Sequence, residues 1–314
     1  MNTVYFDSDA DEAERRSQLY AGQLYVYSPT KSGVALCNLA QELCEQAFHP
    51  HFPPDAQHHL GVEQYVDILK TLKPKFIHHP ECKHLIPQLL EELGCRLEFT
   101  YFDVPRLRTA CSGDYLSSGL AYAFKPHRDT WYSTPMAQLN WWLPVYPIAS
   151  DNAMAFHPNY WDKPIPNSSS LFNYQDWNLV GRKSAEHQVG KDTRVQSAAL
   201  EPMKLEPQTR LVTKPGGVIA FSAAQMHSTV PNMSGLTRFS IDFRTVDSRD
   251  TSCDRGAPNI DSECNGTTMM DYLRGTDWEH FPEAEIKRQE MLILEPRFPT
   301  PKRQVLAELQ ASKG

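Results

Sequence analysis

The sequence of 314 residues has no apolar run approaching the roughly 20 residues that a membrane-spanning helix needs. Nor does it have a basic surplus: 31 Lys and Arg stand against 38 Asp and Glu, a net charge of −7. A general nucleic-acid binder needs a basic face for phosphates, so the acidic balance argues against that class. The cysteines do not form a disulfide framework. There are seven, odd in number and scattered, which suits a reducing compartment, and a cytoplasmic location is expected. Residues 1–16 are acidic and polar, so no secretory signal is expected there. No repeat or low-complexity tract is visible. What the chain does have is 40% hydrophobic residues, 24 prolines and 11% aromatics, a composition for a folded chain of many bounded strands and loops. At this length about three quarters of the unfolded surface can be buried.

Residues 10 to 47 read as helical, with Val34, Leu36, Leu39, Leu43 and Phe48 spaced for one face. Tyr65, Ile68, Leu69 and Leu72 form a second amphipathic set, expected to stop near Pro74. Leu85, Leu89, Leu90 and Leu93 form a third, closed by Gly94 just past the helix end. After Gly94 the period changes. Leu97, Phe99 and Tyr101 alternate with polar positions, as in a strand. Further strands are expected at 120–124, 136–146, 154–156, 211–213, 218–221 and 237–246. Residues 160 to 200 form a polar excursion of a length usually reserved for functional segments. A polar loop follows over 247–268, and 280–312 return to helix or extended tail. The order predicts one domain over 1–314: a helical part (1–94), a β-barrel core (95–246), and a loop and helical end (247–314). The expected class is mainly β with flanking helices.

The sharpest local feature is Lys125-Pro126-His127-Arg128-Asp129-Thr130-Trp131. On an extended strand His127 and Asp129 would point to one face, where an imidazole and a carboxylate can share a metal. A second histidine would complete the two-His-one-carboxylate set that leaves coordination positions open. The motif alone proves little, since chance gives roughly 1.5 His-x-Asp/Glu matches in such a composition. The other match, His79-Pro80-Glu81, falls in a Pro-broken helical region and is read as surface. Downstream, the turn Pro215-Gly216-Gly217 precedes the apolar Val218-Ile219-Ala220-Phe221 and then His227. Beyond it come Arg238 and Ser240, on one face of the next strand. A guanidinium in a pocket wants a carboxylate, which its planar fork binds bidentately, and Ser240 adds a donor.

This ordered set, over about residues 85 to 246, resembles the Fe(II)/2-oxoglutarate-dependent dioxygenases, specifically the phytanoyl-CoA hydroxylase-like branch. It departs from that pattern at Asn152-Ala153, at Pro158-Asn159-Tyr160-Trp161 and at Gly216-Gly217. The resemblance implies a double-stranded β-helix (jelly-roll, cupin-like) core. It implies Fe(II) on His127, Asp129 and His227, 2-oxoglutarate with its far carboxylate on Arg238 and Ser240, and O2 as co-substrate. It implies hydroxylation of an unactivated C–H of a small organic molecule, coupled to conversion of 2-oxoglutarate to succinate and carbon dioxide. The intact Asp129 points away from halogenation and leaves desaturation or ring formation open.

Other residues are weighed against bland roles. Gln138 and Asn140 share a strand face and are expected to meet co-substrate or substrate, the alternative being a hydrogen-bonded pair at a strand end. Thr229 is a further candidate for the site. Trp131 and Trp142 are the aromatics expected to shape a substrate pocket, though aromatics mostly build cores. Arg128 is expected to point the opposite way, as a surface or salt-bridge residue. His157 is read as structural, His78, His79, Cys82 and His84 as lacking the paired spacing of a zinc site, and Cys253 and Cys264 as free thiols. The sequons at Asn167, Asn232 and Asn265 are read as chance. Two competing functions stand beside the first: a cupin-like metalloenzyme that does not use 2-oxoglutarate, and a non-catalytic ligand-binding barrel. A small-molecule substrate is expected, with neither nucleic acid nor membrane as partner; the sequence gives no oligomeric state.

Overall fold

The computed structural model describes residues 3–181, 185–188, 192–194 and 196–292. The first third supplies β1 (Val4–Phe6), α1 (Glu12–Tyr20), β2 (Leu24–Tyr27), α2 (Lys31–Phe48), α3 (Val62–Ile77) and α4 (Pro80–Glu92). Then come β3 (Thr100–Phe102), β4 (Arg106–Ala110), β5 (Leu139–Pro144), β6 (Met154–Phe156) and the short α5 (Tyr174–Asp176). The chain continues through β7 (Thr209–Leu211), β8 (Val218–Ser222), β9 (His227–Thr229) and β10 (Arg238–Asp247). It closes with α6 (Ser248–Ser252), β11 (Leu273–Arg274) and α7 (Glu283–Met291).

The strands make two sheets. The larger runs β1-β2-β8-β5-β10-β3-β11, with β4 beside β3 on the same edge of β10; the smaller runs β7-β6-β9. One face of the large sheet carries Trp141, Leu143, Phe239, Ile241 and Phe243 against Leu36, Leu43, Phe48, Leu69 and Leu89 of the helices. The other face carries Leu24, Val26, Trp142, Ile219 and Phe221 against Met154, Phe156 and Leu211 of the small sheet. Alternation along each strand divides its side chains between these two layers. The site lies on the second side, between the sheets.

α4 ends as its sequence predicts. Gly94 has φ +74°, its N–H bonds Glu91 O at 2.8 Å, and Cys95 N–H reaches Leu90 O at 2.8 Å. That is a Schellman cap, which a residue without Cβ forms at no steric cost. Other expectations need correction. The segment read as helical over 1–94 contains β1 and β2, which join the large sheet. β2 is Leu-Tyr-Val-Tyr, buried at all four positions, so no alternation betrays it. α3 runs through Pro74 to Ile77 rather than stopping there. Residues 120–124 are no strand: Gly119–Ala121 is a 3-10 turn. Helical residues outnumber strand residues among those described, so the class is mixed sheets plus helices rather than mainly β. The expected helix or tail beyond 292 lies outside the described residues.

Candidate metal centre

His227 opens β9, and His127 pairs with it as an isolated antiparallel bridge, each N–H donating to the other's carbonyl at 3.0 Å. This backbone exchange sets the two imidazoles side by side, ring centroids 4.4 Å apart. The chain then turns: Asp129–Tyr132 is a 3-10 turn, not the extended strand expected. The turn swings the Asp129 carboxylate back toward both rings, with Oδ1 3.3 Å from His127 Nε2 and 3.8 Å from His227 Nε2. Candidate ligand atoms of all three residues lie within 4.8 Å of one another, and all three residues are buried. No other group of three or more such side chains converges among the described residues, so His78, His79, Cys82 and His84 make no site.

The tautomers follow from the partners. His127 Nδ1 lies 2.7 Å from Lys125 O, and His227 Nδ1 lies 3.0 Å from Gln225 O. A carbonyl only accepts, so each Nδ1 carries the proton and each Nε2 turns a lone pair toward Asp129. Two lone pairs and a carboxylate oxygen thus converge with no donor between them, a donor set that suits a divalent cation. The charge states agree. Burial, helped by His127, pushes the His227 imidazole down to about 4, so it is neutral at physiological pH. Burial disfavours the Asp129 anion, but the Arg244 guanidinium beside its far oxygen favours it, and the carboxyl is held below its usual range.

The far oxygen of Asp129 is occupied. Gln138 Nε2 lies 3.4 Å from Oδ2 and Arg244 Nε 3.7 Å from it. Gln138 also donates to Asn140 Oδ1 at 2.9 Å, and its own Oε1 accepts the Tyr272 hydroxyl at 2.6 Å. The tyrosine therefore fixes which way the amide points. With Oδ2 engaged, Oδ1 alone faces the histidines, so the triad offers three ligand atoms and leaves positions free. Gln138 is fully buried and off the cavity wall, its amide turned to Asp129 and Asn140.

The triad opens on a cavity of about 670 Å³, mouth included, within the range of small-molecule sites. One face of β10 forms its wall with Arg238, Ser240, Asp242 and Arg244. Arg238 is buried, lies over the Trp142 ring at 5.5 Å, and gives Nη1 to Asn152 O and Ala153 O at 3.1 and 3.0 Å. Among the described residues no carboxylate pairs with it, and burial pulls its guanidinium down to about 10. Arg238 Nε and Ser240 Oγ are both buried without a partner. Buried polar atoms normally have one; an incoming carboxylate would satisfy both. Asn140, Trp142 and Thr229 also line this cavity.

Two expected roles move. Trp131 is fully buried away from the cavity, its indole N–H donating to Asp261 Oδ1 at 2.7 Å, so it shapes no substrate pocket. Arg128 is fully buried too, paired with Asp261 at 3.1 Å and bonded to Ala224 O at 2.7 Å. It is a salt-bridge residue, but not at the surface. His157 is structural, its Nε2 2.9 Å from Ser228 Oγ, and Cys253 and Cys264 are free. The sequence reading missed Arg108, Asp242, Arg244, Asp261 and Tyr272. Asp242 and Arg244 carried a signal, since they continue the period-two face of Arg238 and Ser240. Asp261 and Tyr272 carried none.

No family profile and no curated protein matches the sequence. Solved structures overlap it at low identity. EvdO2 from Micromonospora carbonacea var. aurantiaca is 14% identical over 77% of this chain and 93% of its own, with a TM-score of 0.44. The epimerase SnoN from nogalamycin biosynthesis, in complex with Fe3+, alpha ketoglutarate and nogalamycin RO, is 15% identical over 75% of this chain and 85% of its own, with a TM-score of 0.40. AviO1 from Streptomyces viridochromogenes Tue57 is 12% identical over 76% of this chain and 96% of its own, with a TM-score of 0.38.

Proposed function

We propose that this chain is an Fe(II)- and 2-oxoglutarate-dependent oxygenase that hydroxylates a small organic molecule. The observation that carries the reading is the convergence of His127 Nε2, His227 Nε2 and Asp129 Oδ1 with no donor among them. His127, Asp129 and His227 would hold the metal. Arg238 and Ser240, orphaned in the same cavity, would take the far carboxylate of the co-substrate. Bound there, Fe(II) with 2-oxoglutarate and O2 would supply the oxidising chemistry, with 2-oxoglutarate converted to succinate and carbon dioxide.

The chain's own contribution is placement. Lys125 O and Gln225 O hold the imidazoles in the ligating tautomer. Gln138 and Arg244 steady Asp129 so that it spends one oxygen. Trp142 packs beneath Arg238 and excludes water from the charged contact. Asn140 and Thr229 are assigned to the co-substrate side of the wall, Trp142 also to the substrate. The paired sheets support the jelly-roll reading, and their shared layers support one domain. The motif order over 85–246 supports the phytanoyl-CoA hydroxylase-like branch, and the seven free cysteines support a cytoplasmic location.

The test is anaerobic absorption spectroscopy with Fe(II) and then 2-oxoglutarate. The weak visible charge-transfer band of a keto acid on iron is expected, and His227→Ala should abolish it. Iron binding without the band would transfer Arg238 to a carboxylate of the substrate itself, as in a cupin-like metalloenzyme. Failure to bind iron would leave a ligand-binding barrel.

A further inference from the structure

The cavity wall holds a row of alternating charges that leads away from Asp129 through Arg244. Arg106 pairs with Asp103; Asp103 Oδ2 lies 3.2 Å from Arg244 Nη1; Arg244 Nη2 lies 3.6 Å from Asp242 Oδ2. Asp242 then takes Arg108 through both oxygens, at 2.5 and 3.2 Å. The pairing of β4 with β10 sets Arg106 opposite Asp242 and Arg108 opposite Ser240, so Asp242 and Arg108 meet diagonally on one face. With Asp129, whose Oδ2 lies 3.7 Å from Arg244 Nε, the row balances three cations against three anions. Behind it, Lys73 donates to Leu107 O at 2.9 Å, and burial pulls its ammonium down to about 7.

The two ends of the row differ. Arg106 does not line the cavity, whereas Arg108 does, with its side chain 31% exposed against 17% for Asp242. Arg108 spends Nε and Nη2 on Asp242, and among the described residues Nη1 has no partner. Phe124 lies 5.3 Å below the guanidinium, and Tyr122 meets Phe124 edge-on at 4.9 Å, both on the cavity wall. A free cationic edge beside an aromatic wall matches an organic acid with a flat apolar body.

We propose that the substrate of this site carries an anionic acid group, received by Arg108 at the cavity rim, beside an apolar body held against Phe124 and Tyr122. This rests on the function proposed above. The test uses the full chain, loaded anaerobically with Fe(II) and 2-oxoglutarate, and two probes: 3-phenylpropanoate and its uncharged amide. Dissociation constants are read from broadening of the probe resonances by the bound metal. The acid should bind about tenfold or more tighter than the amide, as expected for one charge-assisted contact. Arg108→Gln should erase the preference and Arg108→Lys retain it, with the charge-transfer band intact in both. Equal affinity, no binding of the acid, or a preference that survives Arg108→Gln would overturn the assignment. If the band never forms in the wild-type chain, the proposed function fails instead. The same probe pair, read by thermal shift on the metal-free chain, then decides the role of Arg108 alone.

Discussion

At the scale of single residues, Arg238 is the clearest case of a group built for something the chain does not itself provide. Its guanidinium is buried with two carbonyl partners and, among the described residues, no carboxylate. Arg238→Ala should cost roughly 2–5 kcal/mol in co-substrate binding, the scale for a desolvated charged contact. A titration of the charge-transfer band would show this as a large rise in the 2-oxoglutarate requirement, with iron affinity nearly unchanged. His227 gives a prediction in pH. Its folded-state value is depressed to about 4 from an ordinary value near 6.5, so the fold prefers the neutral ring. The metal-free chain should hold this stability above pH 6.5 and lose it as pH falls toward 4, by about 3 kcal/mol. Urea unfolding across that window would measure the loss, and His227→Gln should flatten it. The candidate ligands were legible from the two-residue spacing of His127 and Asp129 and from the turn and apolar strand that precede His227. Gln138 was legible as a buried polar group, but not its task, since its partners Asp129 and Tyr272 lie 9 and 134 positions away.

At the scale of elements, the ligand turn is held from outside itself. Arg128 and Trp131, on either side of Asp129 and Thr130, both bond to Asp261 in the loop after α6. Asp261→Asn would leave the buried Arg128 charge uncompensated, and should destabilise the protein by about 3–5 kcal/mol in urea. The double variant Arg128→Met, Asp261→Leu should recover part of that loss, because it removes both charges. Periodicity marks an element where one face is wet or mixed, as in α4 and β10. It failed at β2, where both faces are covered and four successive residues are buried. It also failed around residue 120, where apolar composition imitated a strand but Gly119, with φ +57°, turned the chain.

At the scale of the whole molecule, the site is assembled from distant pieces: a turn at 127–132, strands β5, β9 and β10, and side chains beyond residue 260. Tyr272 is the farthest contributor. Tyr272→Phe should keep the fold, free the Gln138 amide to rotate, and lower iron affinity by about tenfold, as loss of a ligand's hydrogen-bonded support does. Competition with a metal-indicator dye would read it. Long-range closure of this kind leaves no local pattern, so 247–268 could be identified only as a polar loop.

β10 presses Phe239, Ile241 and Phe243 into the helical layer and shows Arg238, Ser240, Asp242 and Arg244 to the cavity. Neighbouring codons of one short stretch therefore answer to different selections. In a saturation scan of this strand, the phenotype should alternate with a period of two: protein abundance collapses at one position, and at the next the protein accumulates normally but does not work.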